Sequence, residues 1–153
     1  MNKPTLSLVL PCFNDQAILN RHLPTVIDFF KLKNILYEII VVDDGSQNPD
    51  LTREIAEKNK CLYFTNPKNM GKGEAVRRGV LQANGRFIIY TDVDIPFELE
   101  SFESFLYYLD FKEFEVVIGD RTLKGSEYFH KIPYARKLGS DIFSFIVGRF
   151  IAG

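Results

Sequence analysis

A dominant sign of charge is the first thing this sequence lacks. Its 19 Lys and Arg against 20 Asp and Glu leave a formal net charge of −1. That is too even for the broad positive field of a nucleic-acid binder, and no nucleic-acid partner is expected. Cysteine is scarce: Cys12 and Cys61 stand far apart, which excludes a disulfide framework or a zinc site and fits a reducing cytosol. Histidine is scarce too, and neither His22 nor His130 has a partner at metal-ligand or triad spacing. No apolar run is long enough to span a bilayer, and the N-terminus enters a strand-like run without the features of a signal peptide. Internal repeats, low-complexity tracts and linkers are also missing. What remains is an ordinary globular composition, 46% hydrophobic and 25% charged over 153 residues, enough for one domain with a real core.

Strand and helix patterns alternate along the chain. Leu6 to Leu10 reads as a strand closed by Pro11. Gln16 to Lys31 reads as a helix, with Leu19, Leu23, Val26 and Phe30 at helical spacing; Asp15 is placed to cap it and Pro24 to kink it. Tyr37 to Val42 is the clearest strand, its Ile39-Ile-Val-Val42 apolar on both faces, as parallel sheets demand. A short helix with Leu51 and Ile55 on one face comes next, then a strand from Cys61 to Thr65. The turn through Gly71 opens a helix carrying Val76, Val80 and Ala83, which Asn84-Gly85 is suited to end as a left-handed cap. Phe87 to Tyr90 reads as a buried central strand. Leu99, Phe102, Leu106 and Leu109 mark another helix, its aromatics belonging to the core, and Glu115 to Gly119 a fifth strand. From Tyr134 a long helix is expected, apolar almost all round and carrying Arg136, Lys137 and Arg149. Such a helix needs more protein against it or rests on a membrane surface. The pattern predicts an α/β fold, a mainly parallel sheet sandwiched by helices.

Three predicted strands end in polar turns: Pro11-Cys-Phe-Asn-Asp15, Asp43-Asp-Gly-Ser46 and Asp92-Val-Asp94. In a parallel sheet these turns share one edge, beyond which α/β proteins bind ligands. Asp92 and Asp94 repel each other unless something positive lies between them, and a hard divalent cation completed by phosphate oxygens meets that need; taken alone, the pair reads more readily as a solvated acidic turn. The glycine-rich turn is neither of two familiar phosphate motifs. Asn66 and Gly73 occupy places where a P-loop needs glycine and a hydroxyl, and Val76 stands where a dinucleotide fingerprint needs a small residue. A helix N-terminus with Lys72 nearby is left, able to take an anion or simply to start a helix. Arg121 falls just past the fifth strand, on the side of the acids, and Arg136 follows on the long helix. Arginine's planar fork suits phosphate, although two surface arginines would look the same.

Together the motifs resemble family-2 glycosyltransferases of the GT-A fold, most of all the polyprenyl-phosphate sugar synthases, which include dolichyl-phosphate mannose and glucose synthases. Leu8-Val-Leu-Pro-Cys-Phe-Asn-Asp15, Tyr37-Glu-Ile-Ile-Val-Val-Asp-Asp-Gly-Ser46 and Asn69-Met-Gly-Lys-Gly-Glu-Ala-Val-Arg-Arg-Gly79 carry the resemblance. Asp92-Val-Asp94, Ile118-Gly-Asp-Arg121 and Arg136-Lys-Leu-Gly139 continue it. It implies an inverting transfer from a UDP- or GDP-linked sugar to an acceptor, with polyprenyl phosphate at a membrane favoured. Pro11, Phe13, Asp15, Val42, Asp44 and Val93 would then line the nucleotide-sugar pocket. Asp92 and Asp94 would hold Mg²⁺ or Mn²⁺ on the diphosphate. Arg121 and Arg136 would hold the acceptor phosphate and the transferring group, with Arg121 catalytic beside Asp92 and Asp94.

Phe13 and Asp15 stand where the family usually has tyrosine and glutamate, and Ile95-Pro96 offers no third metal ligand. Family members continue further, so residues 1–153 are expected to form a single GT-A domain lacking the acceptor-side segment, able to bind donor even without transferring it. A cytoplasmic location, peripheral at the membrane face, goes with this reading. Other readings stay open: an inactive donor-binding fragment, a sugar-phosphate nucleotidyltransferase, or a receiver-like signalling domain. Against the second, Pro11 to Asp15 is not a glycine-rich basic loop. Against the third, the acid pair Asp43-Asp44 follows the second strand rather than the first. The oligomeric state is left open.

Overall fold

The structure, a computed structural model, describes residues 3–120. The chain divides into two compact units, Met1–Val117 and Ile118–Gly153, and the first contains every element named below. Arg121, Arg136 and the expected terminal helix lie outside the described residues. In chain order the elements are β1 (Leu6–Cys12), α1 (Gln16–Leu32), β2 (Tyr37–Asp43), α2 (Pro49–Lys58), β3 (Leu62–Thr65), α3 (Lys72–Gln82), β4 (Phe87–Tyr90) and α4 (Ser101–Leu106). A single π-helical turn, Tyr107–Phe111, extends α4. The strands form one parallel sheet in the order β3-β2-β1-β4.

Alternation along β2 sorts its side chains between two cores. Ile39 and Val41 pack with Leu19, Leu23, Val26 and Phe30 of α1 in the larger core, while Ile40 and Val42 join Val9 and Ala75 in the smaller one. The apolar stripe of α1 carries the helix unbroken through Pro24. Proline there forfeits an intrahelical bond, and burial of the stripe outweighs that loss. Asp15 holds the N-cap position, but its side chain makes no capping hydrogen bond. Asn48 does cap α2, accepting from the Leu51 N–H at 3.2 Å. The buried face of α2 is Thr52, Ile55 and Ala56, and Leu51 is exposed rather than packed.

Helix α3 packs through small residues, not through the expected valines. Its buried positions are Ala75 and Gly79, and a Cβ at Gly79 would come within 2.3 Å of Val9 Cγ1. The helix also ends differently: Ala83 turns into extended backbone (φ −70°, ψ 135°). Gly85 serves a close approach, since a Cβ there would sit 2.5 Å from Ser7 N.

Strand β4 is neither central nor fully buried. It pairs with β1 alone among the described residues, and Ile88 and Tyr90 are exposed. The expected fifth strand is absent among the described residues. After the π turn, Glu113 takes a left-handed conformation (φ 56°), and the segment beyond it finds no ladder partner there, leaving Val116 and Ile118 exposed. Phe102 is fully buried and meets Phe30 at 5.0 Å and Phe97 at 5.2 Å between ring centroids, both edge-on. Tyr107 and Tyr108, expected in the core, are exposed.

A polar staple closes the N-terminal edge of the sheet. Ser7 Oγ and the Asn84 N–H each donate to Glu38 Oε1 at 2.5 Å, and the Gly85 N–H donates to Ser7 Oγ at 2.8 Å. Burial alone would raise the Glu38 pKa, but the hydrogen bonds from Ser7 and Asn84 outweigh it and hold the carboxyl below its ordinary 4.5. A depressed carboxyl contributes stability in full above its unfolded value and loses it as pH falls through the folded one. Glu38→Gln is therefore expected to cost about 1 kcal/mol at neutral pH. In urea titrations that deficit should shrink steadily below pH 4.5.

Candidate functional site

Because every strand runs the same way, the ends at Cys12, Asp43, Thr65 and Tyr90 meet at one edge of the sheet. A cleft of about 210 Å³ opens there. Pro11, Cys12, Phe13 and Asp15 line it from the end of β1, Asp44 from β2, Asn69 and Lys72 from the approach to α3, and Asp92 from beyond β4. The loops after β1 and β2 are tied together: the Asn14 N–H donates to Ser46 Oγ at 2.9 Å, and the Gln47 N–H to Asn14 Oδ1 at 2.8 Å. Asn14 adopts φ 58° to do this, a conformation asparagine tolerates.

The two neighbouring acids of β2 have different tasks. Asp43 is fully buried; its Oδ1 accepts from the Ser46 N–H at 2.8 Å, and its Oδ2 has no hydrogen-bond partner among the described residues. Asp44 lines the cleft, but its carboxylate is already engaged. Oδ1 accepts from Asn66 Nδ2 at 2.7 Å and the Met70 N–H at 3.0 Å, and Oδ2 from the Gly71 N–H at 2.8 Å. Asn66 in turn accepts from Arg78 Nη1 at 3.2 Å. Asp44 thus fastens the 66–71 loop to the sheet edge, and one lone pair of Oδ2 remains for a ligand.

After β4, exposure alternates. Thr91, Val93 and Ile95 are buried, while Asp92 and Asp94 between them are exposed. The apolar residues anchor the turn in the core, and the acids are left to solvent. Asp92 reaches the cleft, where Lys72 Nζ lies 2.5 Å from its Oδ1. Asp94 is exposed next to it but is not among the cleft-lining residues. Ile95, a β-branched residue, takes φ 46°, and its N–H closes a turn onto the Asp92 carbonyl at 3.1 Å.

Of the residues expected to line a nucleotide pocket, the structure gathers Pro11, Phe13, Asp15 and Asp44, with Asp92 facing them. Val42 and Val93 offer no side chain to the cleft, because each is packed in a core cluster. Strand β2 is covered on both faces, so Val42 is interior, and Val93 is the buried residue between two exposed acids. Asn69 and Lys72 are the additions. Lys72 was visible beside the glycine-rich turn, but its reach to Asp92 depends on loop geometry that spacing does not reveal. The cysteines are free. Burial pushes the Cys12 thiol up to about 11 and the Cys61 thiol to about 12, so neither is a nucleophile near neutral pH.

Among the described residues, no group of three or more His, Cys, Asp and Glu can hold a metal ion. A cation on Asp92 must draw further oxygens from its ligand. Mg²⁺ and Mn²⁺ suit one or two carboxylates completed by phosphate and water. The ammonium of Lys72 seated on Asp92 Oδ1 marks this as a place where positive charge is accepted. The residues fit such a cation.

A parallel sheet with flanking helices, opening at its carboxyl edge onto a cleft lined by Asp44 and Asp92, has the architecture of the Rossmann-like half of a GT-A fold. The model for the glycosyl transferase family 2 matches residues 7–150, and the chain belongs to that family. It is 30% identical over 145 residues to a dolichyl-phosphate beta-glucosyltransferase of Trichomonas vaginalis, covering 87% of this chain and 44% of the relative. A dolichyl-phosphate beta-glucosyltransferase of Dictyostelium discoideum is 29% identical over 147 residues, with 87% and 45% covered. The chain thus spans less than half the length of these relatives.

Among solved structures it resembles a mannosyltransferase from Pyrobaculum calidifontis in complex with GDP-Man and Mn²⁺, with a TM-score of 0.59 and 20% identity over 72% of this chain and 33% of that one. It also resembles glucosyl-3-phosphoglycerate synthase from Mycobacterium tuberculosis in complex with Mn²⁺, UDP and glucosyl-3-phosphoglycerate, with a TM-score of 0.53 and 24% identity over 69% and 39%. These likenesses establish the fold, and with the family they displace the nucleotidyltransferase and receiver readings. No helix among the described residues is long and apolar enough to cross a membrane.

Proposed function

We propose that this chain carries the donor side of a glycosyltransferase that moves a sugar from a UDP- or GDP-linked donor to a polyprenyl phosphate, with inversion at C1. In this reading the chain is part of one GT-A domain working at the cytoplasmic face of a membrane. The observation that carries it is one cleft lined by Asp92 together with Pro11, Phe13 and Asp15. The names of the curated relatives favour a dolichyl-type acceptor and glucose.

The exposed ring of Phe13 gives a base a surface to stack against, and the Asp15 carboxylate can accept from ribose or base. Asp92, with Asp94 next to it, would hold Mg²⁺ or Mn²⁺ against the diphosphate. When bound, the cation supplies Lewis-acid stabilisation of the charge that gathers on the leaving nucleotide. Arg121 and Arg136 orient the acceptor phosphate, which is already anionic at neutral pH and needs placement more than a general base. Attack in line with the departing diphosphate inverts C1.

Calorimetric titration of the chain with UDP- and GDP-sugars in the presence of Mn²⁺ tests the donor site. Binding of one nucleotide class is expected. Heat from neither would refute the assignment.

A further inference from the structure

The ion pair between Lys72 and Asp92 joins two elements across the mouth of the cleft. Lys72 is the first residue of α3, and its neighbour Gly71 is pinned by its N–H to Asp44 Oδ2 at 2.8 Å. The loop that Asp44 fastens therefore delivers the ammonium to the acid, 2.5 Å from Oδ1. Both side chains are about half exposed, at 56% and 52%. A pair so open to water adds little to stability and is easily parted. Its electrostatic consequence is larger than its energy. Asp92 is the one carboxylate of its turn that lines the cleft, and its charge is already answered.

We propose that Lys72 is an internal counter-ion that closes Asp92 to a bare divalent cation and releases it only when a nucleoside diphosphate takes the ammonium. The proposal rests on the donor-site reading above. Cation and ammonium compete for the same carboxylate, so a metal arriving alone must either displace Lys72 or bind beside a like charge. A diphosphate reverses that balance. It offers Lys72 new oxygens and completes the cation's shell, which the described protein residues cannot fill. Cation and nucleotide then tighten each other's binding by the same factor.

Titration of Mn²⁺ into the full chain, with free Mn²⁺ read by electron paramagnetic resonance, tests this without turnover. The wild type is expected to bind Mn²⁺ weakly alone and far more tightly with UDP or GDP. Lys72→Met is expected to bind Mn²⁺ alone about tenfold more tightly than wild type, as removal of one adjacent charge predicts. Its gain on adding nucleotide should shrink by a similar factor. Lys72→Arg keeps the charge and should behave as wild type, while Asp92→Asn should lose Mn²⁺ under both conditions. Unchanged Mn²⁺ affinity in Lys72→Met, with the wild type still binding Mn²⁺ beside nucleotide, overturns the counter-ion role alone. A wild type that binds no Mn²⁺ with either nucleotide overturns the donor-site reading and this one with it.

Discussion

Gly45→Ala is expected to lower the melting temperature by about 10 °C, read by differential scanning fluorimetry. Two costs add at this position. The backbone sits at φ +74°, where an L side chain is disfavoured by about 1–2 kcal/mol. The new Cβ would also lie 2.2 Å from the Lys68 carbonyl carbon and 2.5 Å from Asn69 N. Those are backbone atoms, so no rotamer change relieves the contact. The 66–71 loop must lift off instead, at a further cost of about 1–3 kcal/mol. Gly79→Ala also meets a close neighbour, but that neighbour is the Val9 side chain, which has more freedom to adjust. The fluorimetric shift at Gly45 should exceed that at Gly79; the reverse order would show the loop to be softer than its contacts imply.

Asp44→Ala is expected to destabilise the chain by about 3 kcal/mol and to weaken donor binding as well. Three donors lose their acceptor together: Asn66 Nδ2, the Met70 N–H and the Gly71 N–H. Hydrogen bonds to a charged group contribute about 1.5–3 kcal/mol each, but Met70 and Gly71 lie where water can replace part of the loss. The conservative exchange separates charge from geometry. In Asp44→Asn one oxygen can still serve Asn66 and Met70, while the amide nitrogen faces the Gly71 N–H, donor against donor. That variant should fall between wild type and alanine in urea midpoint. Equal midpoints for the two variants would mean that the bond to Gly71 dominates the set.

Much of the fold was legible because the signals were physical and local. Ile39-Ile-Val-Val42 is apolar without interruption, and only a strand covered on both faces calls for that. The convergence of Asp15, Asp44 and Asp92 followed from parallel strands ending together. Misreadings arose where packing overruled pattern. Val76 and Val80 advertised a face for α3, yet the helix approaches the sheet so closely that only Ala75 and Gly79 fit. Asn84-Gly85 had the composition of a left-handed cap, but the glycine is needed for its lack of a side chain beside Ser7. Glu115 to Gly119 had strand composition and found no partner among the described residues. In the site, the side chains of Val42 and Val93 lie in the interior, so any part they take in holding a ligand falls to their backbone. The grip of Asp44 on the 66–71 loop joins residues far apart in sequence, so no spacing rule exposed it.

Ile95 bears on any attempt to make this scaffold tolerate heat. Its conformation, φ 46° ahead of a proline, invites a designer to substitute glycine and collect about 1–2 kcal/mol of relief. Yet the side chain is only 8% exposed, and forfeiting it would remove about 1.5–3 kcal/mol of apolar burial. The exchange would leave the scaffold no sturdier and would slacken the tether beneath both acids. Thermal hardening should start elsewhere and leave that taut residue as it is.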